Sequence, residues 1–327
     1  MHIPDNYLSP ATCAAIAAAM IPVWTIAGRR VMKDVPKAGV PLLGIGAAFS
    51  FLVMMLNVPL PGGTSGHAVG GALLAVALGP WAACISLSIA LLLQALMFGD
   101  GGILAFGVNA FNMAFVIPFL GYFVYRIIAD RSASERGRIV GIVAGSYLSF
   151  NAAALCVAIE LGIQPLLARG PSGLPAYFPY PLSISIPAMM VPHLAVAGVV
   201  DALFAGAVFA FLRRVSPGAL YEGSGTRLRG TYVVLVLLAC LSPLGLLASG
   251  EAWGEWGVET LRKLVGYVPS GMQPGFGFSS LFPAYVVKGL PGVLGTVASA
   301  AAGAAVLVIA FKLLGLLWRG RRRKARA

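Results

Sequence analysis

Charge is scarce in this chain. Only 10% of its 327 residues are charged, acidic residues number 11, and there are three histidines and four cysteines. With 59% hydrophobic residues, the polar surface is too small to coat a soluble globule, which excludes a water-soluble enzyme or regulator. Cys13, Cys84, Cys156 and Cys240 each lie inside an apolar run, and no two share a CxxC spacing. That excludes a zinc ribbon or a disulfide framework and leaves them as small packing residues. An HExxH pair is missing, as is a Walker A phosphate loop, so neither a zincin protease nor a nucleotide site is expected. Also missing from the start, "MHIPDNYLSP", are a basic leader and a small-residue cleavage site, so the first residue is expected to be retained.

What is present is a succession of apolar runs. Nine spans are expected, over 10–28, 39–56, 68–79, 81–98, 103–125, 139–162, 186–212, 231–249 and 290–317. The third is short for a hydrocarbon layer of ~30 Å. The net charge of +12 would suit nucleic acid, but its placement does not. Nineteen of the 23 basic residues fall on one side of a nine-span arrangement: Arg29, Arg30, Lys33 and Lys37, then Arg126, Arg131, Arg136 and Arg138, then Arg213, Arg214, Arg227 and Arg229, with Lys312 and the tail "RGRRRKARA". Arg169, Arg262, Lys263 and Lys288 fall on the other. Basic loops stay inside, so the N-terminus is placed outside and the C-terminus in the cytoplasm.

The expected fold is therefore an all-α polytopic membrane protein, a seven-span bundle followed by two further transmembrane helices. Residues 1–212 form the bundle, 213–230 a cytoplasmic linker, 231–318 a two-span module with an outside segment at about 250–288, and 319–327 a basic tail. In the first span, Ala11, Ala15 and Ala19 recur at four-residue spacing, a face that lets membrane helices approach closely. It packs either within this chain or against a partner subunit.

The terminus carries chemistry. His2 is too large for removal of Met1, so a free α-amine is expected beside it. That amine, the His2 amide nitrogen and the His2 Nδ1 close a five- and a six-membered chelate ring, three coplanar nitrogens. Metallating an amide requires a strongly Lewis-acidic late transition metal, and tetragonal nitrogen sites suit Ni(II) or Cu(II), with Co(II) close in the series. Zinc prefers a tetrahedron, and calcium or magnesium oxygen. The fourth donor is expected from His67, in "NVPLPGGTSGHAVGG", a Gly- and Pro-rich loop on the same side. Asp5, Asn57, Ser65 and Asp100 are expected to border the site and to orient the two imidazoles, Asp5 alternatively capping the first helix.

"MHIPDNYLSP", "PLPGGTSGHAVGG", "LGPWAA" and "LLLQALMFGDGGILAFGVNAFNMAF" together resemble the CbiM/NikM family, over residues 1–212. Members are the substrate-binding S components of energy-coupling-factor (ECF) importers, ABC-type importers for cobalt and nickel. The resemblance implies that Ni2+ or Co2+ is the transported ligand, with no resident cofactor. It implies a metal site made by the Met1 amine, the His2 amide and imidazole, and the His67 imidazole. It also implies a place in the bacterial cytoplasmic (inner) membrane, and partners comprising a transmembrane T component and cytoplasmic ATPases. The family usually reads "HIPDGFL"; here Asn6 and Tyr7 stand for Gly and Phe. The two-span module resembles CbiN/NikN-like or PDGLE-type accessory pieces through "SPLGLLASGEAWGEWG", which implies a role in metal loading.

Glu251, Glu255 and Glu259 share one face if helical, either a solvated face or a weak cation-gathering surface, and Trp253 and Trp256 suit a membrane interface. His193 and Asp201 lie two turns apart on one face, either functional or an interhelical hydrogen bond, while Gln94, Asn109, Asn112 and Asn151 are expected as interhelical glue. A transport subunit is the leading function. An S component for a vitamin is the alternative, and a membrane metalloenzyme a remote third.

Overall fold

The computed structural model describes residues 1–35, 39–60, 64–132, 134–215, 229–248, 251–273 and 275–324, the side chains of 229–230 and 317–324 excepted. Helices dominate because the apolar runs must satisfy their own backbone groups in lipid. Helix α1, Pro10–Asp34, begins at Ser9, whose Oγ accepts from the Thr12 amide at 3.2 Å, with Pro10 preset for the first turn. Helix α2 is Val40–Met54, and β1, Asn57–Leu60, pairs antiparallel with β2, Thr64–His67. Then come α3, Gly71–Leu78, α4, Pro80–Phe98, and α5, Phe106–Ala129. Helix α6, Glu135–Gly162, is capped by Ser134, and α7 is Leu182–Val215. The second part holds α8, Arg229–Leu241, continued by a 3₁₀ turn over Ser242–Leu247, then the short α9, Val258–Val265, and α10, Gly292–Lys324.

Six of these helices are long and apolar enough to cross a membrane, and Val40–Met54 and Thr231–Leu247 are shorter apolar helices. The third expected span is the exception. Helix α3 has eight residues, so it rises only ~12 Å, too little to cross alone. It is nevertheless almost wholly buried, and it packs between α4 and α5.

The elements run between two ends. At one, the N-terminal strap, the hairpin, the loop after α4 and the start of α7 meet. At the other, Arg213 donates to both carboxylate oxygens of Glu135, at 2.9 and 2.6 Å, joining α7 to α6. Arg29, Arg30, Lys33, Arg126 and Arg131 share that far end.

Three departures from expectation have local causes. The segment around His67 is a hairpin rather than an irregular loop, with Asn57 opposite His67, which ends β2. The 3₁₀ turn of the C-terminal module packs against β1, so the partner that steadies this strand lies far along the chain. Glu251, Glu255 and Glu259 do not share a helical face. Gly254 has φ 92°, and helix α9 begins only at Val258. Of the expected linker, residues 216–228 lie outside the described residues, as do 325–327 of the tail.

The bundle helices also widen near the site end. Wider π turns occupy Gln94–Phe98, Ala110–Val116 and His193–Ala197. Such turns re-aim side chains and recur at functional sites. Here they bring Gln94, Asn109 and His193 toward the N-terminal strap.

Candidate metal centre

Residues 1–8 fold back into the bundle instead of projecting from it. Met1, His2 and Ile3 are all buried, at 5%, 5% and 1% exposure. Asn109 holds the strap in place: its Oδ1 accepts from the Ile3 amide at 2.8 Å, and its Nδ2 donates to the Ile3 carbonyl at 3.0 Å. The Gly102 amide donates to the same carbonyl at 3.0 Å. Asp5 does not touch either imidazole. Its carboxylate accepts from the amides of Ile103, Leu104 and Ala105 at 3.0, 2.8 and 3.4 Å, locking the loop after α4 onto the strap. Gly101 and Gly102 permit this closeness. Gly101 has φ +81°, and a Cβ at Gly102 would sit 2.6 Å from the Asp5 nitrogen. Ser9 and Gln164 complete the anchorage, the Ser9 amide donating to Gln164 Oε1 at 2.9 Å.

His67 arrives from the opposite side on β2. Its Nδ1 lies 3.1 Å from the Ala68 carbonyl, which can only accept, so Nδ1 carries the proton and Nε2 presents a lone pair. The chain just beyond is fixed by Asp201 of α7. Its Oδ1 accepts from the amides of Val69 and Gly70 at 2.8 and 3.1 Å, and its Oδ2 accepts from Ser146. Asp201 is thus a positioning group for the His67 strand. His193, expected on the same face, does something else. Its Nδ1 bonds the Met189 carbonyl at 2.7 Å within its own helix and its ring stacks on Phe150, although the side chain lines the same cavity as Met1 and His2.

The two imidazoles meet. His2 Nδ1 is 3.1 Å from His67 Nε2, and the ring centroids are 4.8 Å apart. Because Nε2 of His67 offers a lone pair, the proton of this contact belongs to His2 Nδ1. Asp100 Oδ1 lies 3.2 Å from the same nitrogen. His2 Nε2 is buried and without a partner among the described residues. It can take up the proton when Nδ1 gives its lone pair to a cation. The His2 amide also makes no hydrogen bond among the described residues, whereas that of Ile3 is bound.

Burial sets the protonation. It pushes His2 down to about 3, helped by the charge of the nearby terminal amine, and holds His67 well below its ordinary 6.5 for the same two reasons. The Met1 amine is lowered from 8.0 by burial, against the opposing pull of Glu255 and Asp100. All three groups are shifted toward the unprotonated form that a cation needs.

Of the other expected border residues, Ser65 is buried and lines the cavity with Met1 and His2, while Asn57 is exposed and meets His67 only through strand pairing. Two residues of the C-terminal module also neighbour the site: Tyr285, which the sequence reading does not single out, and Glu255, which it places on a helical face. The Tyr285 hydroxyl donates to Asp100 Oδ2 at 2.5 Å, and Gln94 Nε2 donates to Asp100 Oδ2 at 3.2 Å and to the Tyr285 hydroxyl at 3.0 Å. Glu255 lines the cavity beside the terminus, and burial raises its carboxyl to about 7. Their sequence positions offer no signal of this, since each lies far along the chain from the strap. Ala11, Ala15 and Ala19, by contrast, are all exposed.

The family described as "Cobalt uptake substrate-specific transmembrane region" (CbiM) matches residues 2–219, and the PDGLE domain matches residues 229–320. A probable fused nickel transport protein, LarMN, of Lactiplantibacillus plantarum is 50% identical over 325 residues, 97% of each chain. A fused nickel transport protein, NikMN, of Rhodobacter capsulatus is 41% identical, over 94% of this chain and 95% of that one. The crystal structure of a truncated transition metal transporter superposes with a TM-score of 0.62 at 54% identity, covering 65% of this chain and 99% of that one. A buried terminal strap beside a histidine-ended hairpin, in a bundle of apolar helices, is thus the setting in which the match falls: the chain belongs to the CbiM family of multi-pass membrane transport proteins, with a PDGLE domain appended.

Proposed function

We propose that the chain is the substrate-binding S component of an ECF-type importer for Ni(II) or Co(II). It captures the ion in a plane of four nitrogens: the Met1 amine, the His2 amide, His2 Nδ1 and His67 Nε2. One observation carries this reading. Adjacent corners of a square with metal–nitrogen bonds of ~2.0 Å lie ~2.8 Å apart, and His2 Nδ1 and His67 Nε2 already face each other at 3.1 Å. A cation entering between them needs only small shifts, with the Nδ1 proton moving to His2 Nε2 and the His2 amide proton leaving to solvent. The loaded plane, with its amide ionised, keeps one net positive charge, and Asp100 supplies the counter-charge from the edge.

The size of the free space favours an ion over a vitamin. The cavity beside the terminus is ≈ 10 Å³, room for about one water. The basic end of the bundle is assigned to the cytoplasm, so the site opens outward. The transmembrane T component is assigned to the exposed face of Ala11, Ala15 and Ala19, where small side chains let a second helix approach closely. Separate cytoplasmic ATPases supply the energy.

Titration of the purified full chain with Ni2+, Co2+, Cu2+ and Zn2+ tests the reading. One ion per chain, with nickel or cobalt held far more tightly than zinc, is expected. A preference for zinc, or no binding, overturns it.

A further inference from the structure

Besides Glu255, the C-terminal module reaches the site through two hydrogen-bonded contacts. The first is Asn6, which stands where the family resemblance expects glycine. Its φ is 70°, a conformation that asparagine tolerates better than other side chains. In that posture its side chain pairs both ways with the module backbone, Nδ2 donating to the Phe276 carbonyl and Oδ1 accepting from the Phe276 amide, each at 2.9 Å. The second is Tyr285. It follows Ala284 in an unusual pair of non-glycine residues at positive φ, 50° and 63°. Three contacts hold that conformation. The Phe282 amide donates to the Met97 carbonyl at 2.8 Å, Ser299 Oγ donates to the Tyr285 carbonyl at 2.9 Å, and the Tyr285 ring stacks on Phe98 at 4.7 Å. The outcome is a phenol hydroxyl delivered to Asp100 Oδ2, 185 residues away in sequence.

We propose that Tyr285 is a positioning residue for metal capture: by clamping Asp100 Oδ2 it holds the Asp100 carboxylate beside the donor nitrogens, so the appended module fixes the counter-charge of the bound cation. This rests on the metal site proposed above. The geometry has a clear division of labour. One carboxylate oxygen is engaged by Tyr285 and Gln94, which leaves the other aimed at the imidazole at 3.2 Å. A carboxylate released from Tyr285 can rotate away from the donor nitrogens, and the bound cation then loses its fixed counter-charge. The strained backbone at 284–285 supports this assignment, because the module maintains a costly conformation at the very point of contact.

The test compares Ni2+ affinities, by calorimetric titration of the full chain in detergent, for the native protein, Tyr285→Phe, Ser299→Ala, Asp100→Ala and the Asp100→Ala/Tyr285→Phe pair. Tyr285→Phe keeps the ring stack and removes only the hydroxyl. It is expected to weaken nickel binding about tenfold, while Ser299→Ala, which removes one of the three contacts that hold Tyr285 and keeps its hydroxyl, weakens it by a smaller factor. In the Asp100→Ala background, Tyr285→Phe is expected to add no loss, since its partner has gone. The proposal is overturned if Tyr285→Phe binds nickel as the native chain does. It is also overturned if the losses from Tyr285→Phe and Asp100→Ala add independently. Failure of the native chain to bind nickel would instead remove the site itself.

Discussion

The contact between His2 and His67 is made by atoms, not by elements, and its consequences are local. His67→Ala removes a donor and should weaken nickel binding by more than the ~10–100-fold typical of supporting residues. His193→Ala should change it little, because that ring is tied to the Met189 carbonyl within its own helix. Equal losses in a nickel titration would mean that the plane of donors lies elsewhere. The protonation of the site makes a second prediction. Each donor must be deprotonated to bind, so capture falls as pH falls. Because burial lowers the Met1 amine from 8.0 and His2 to about 3, protons compete less here than in an exposed peptide. A nickel titration against pH should therefore lose half its affinity at a lower pH than the free peptide Met-His-Ile-Pro-Asp does. Coincident curves would show that the amine and imidazole are not shielded.

The proposed donors were legible in the sequence for a local reason: an amine next to a histidine would be a chelate whatever the fold. Their supports were legible only by type. Asn109 and Gln94 could be expected to hydrogen-bond something within the bundle. The Ile3 backbone and Asp100 as their partners depend on where the strap folds.

Elements decide how firmly these groups are held. Asp201, from α7, is the main tie on the chain that follows His67, accepting two amides at a fully buried site. Asp201→Ala leaves the amides of Val69 and Gly70 unpaired. It should cost on the order of 2–4 kcal/mol of stability and should loosen nickel binding as well. A thermal unfolding midpoint unchanged from the native chain would contradict this. At the loop after α4, Gly102→Ala forces a Cβ against Asp5 and should part the loop from the strap, with loss of binding read in the same titration. Periodicity and hydropathy mark the long helices well, because lipid makes the helix the default for a long apolar run. They fail at α3 and at the hairpin. Helix α3 is too short for a span yet buried in the bundle, and β1 is steadied by a turn of the appended module. Glu255 is misplaced by periodicity for a different reason, since the positive φ at Gly254 breaks the helix that the spacing implies.

At the scale of the whole molecule, the site is built from both parts of the chain. The bundle brings the donors, while the module contributes Tyr285, Glu255 and the clamp on Asn6. Asn6→Gly keeps the backbone conformation and loses both bonds to Phe276. It should leave the bundle folded but expose the 275–285 segment to faster amide exchange, and unchanged exchange there would count against the clamp. Nineteen of the 23 basic residues are assigned to the end away from the site, so reagents that cannot cross the membrane should reach a cysteine placed at Asn57 and not one placed at Arg131.

The central claim is that the first amino group of the chain is itself a metal ligand. The most direct measurement is a nickel titration of the full chain carrying a cleavable extension ahead of Met1, before and after a protease restores Met1 as the first residue. No binding before cleavage and one tightly bound ion per chain after it is the predicted result. Equal binding in both forms would contradict the account.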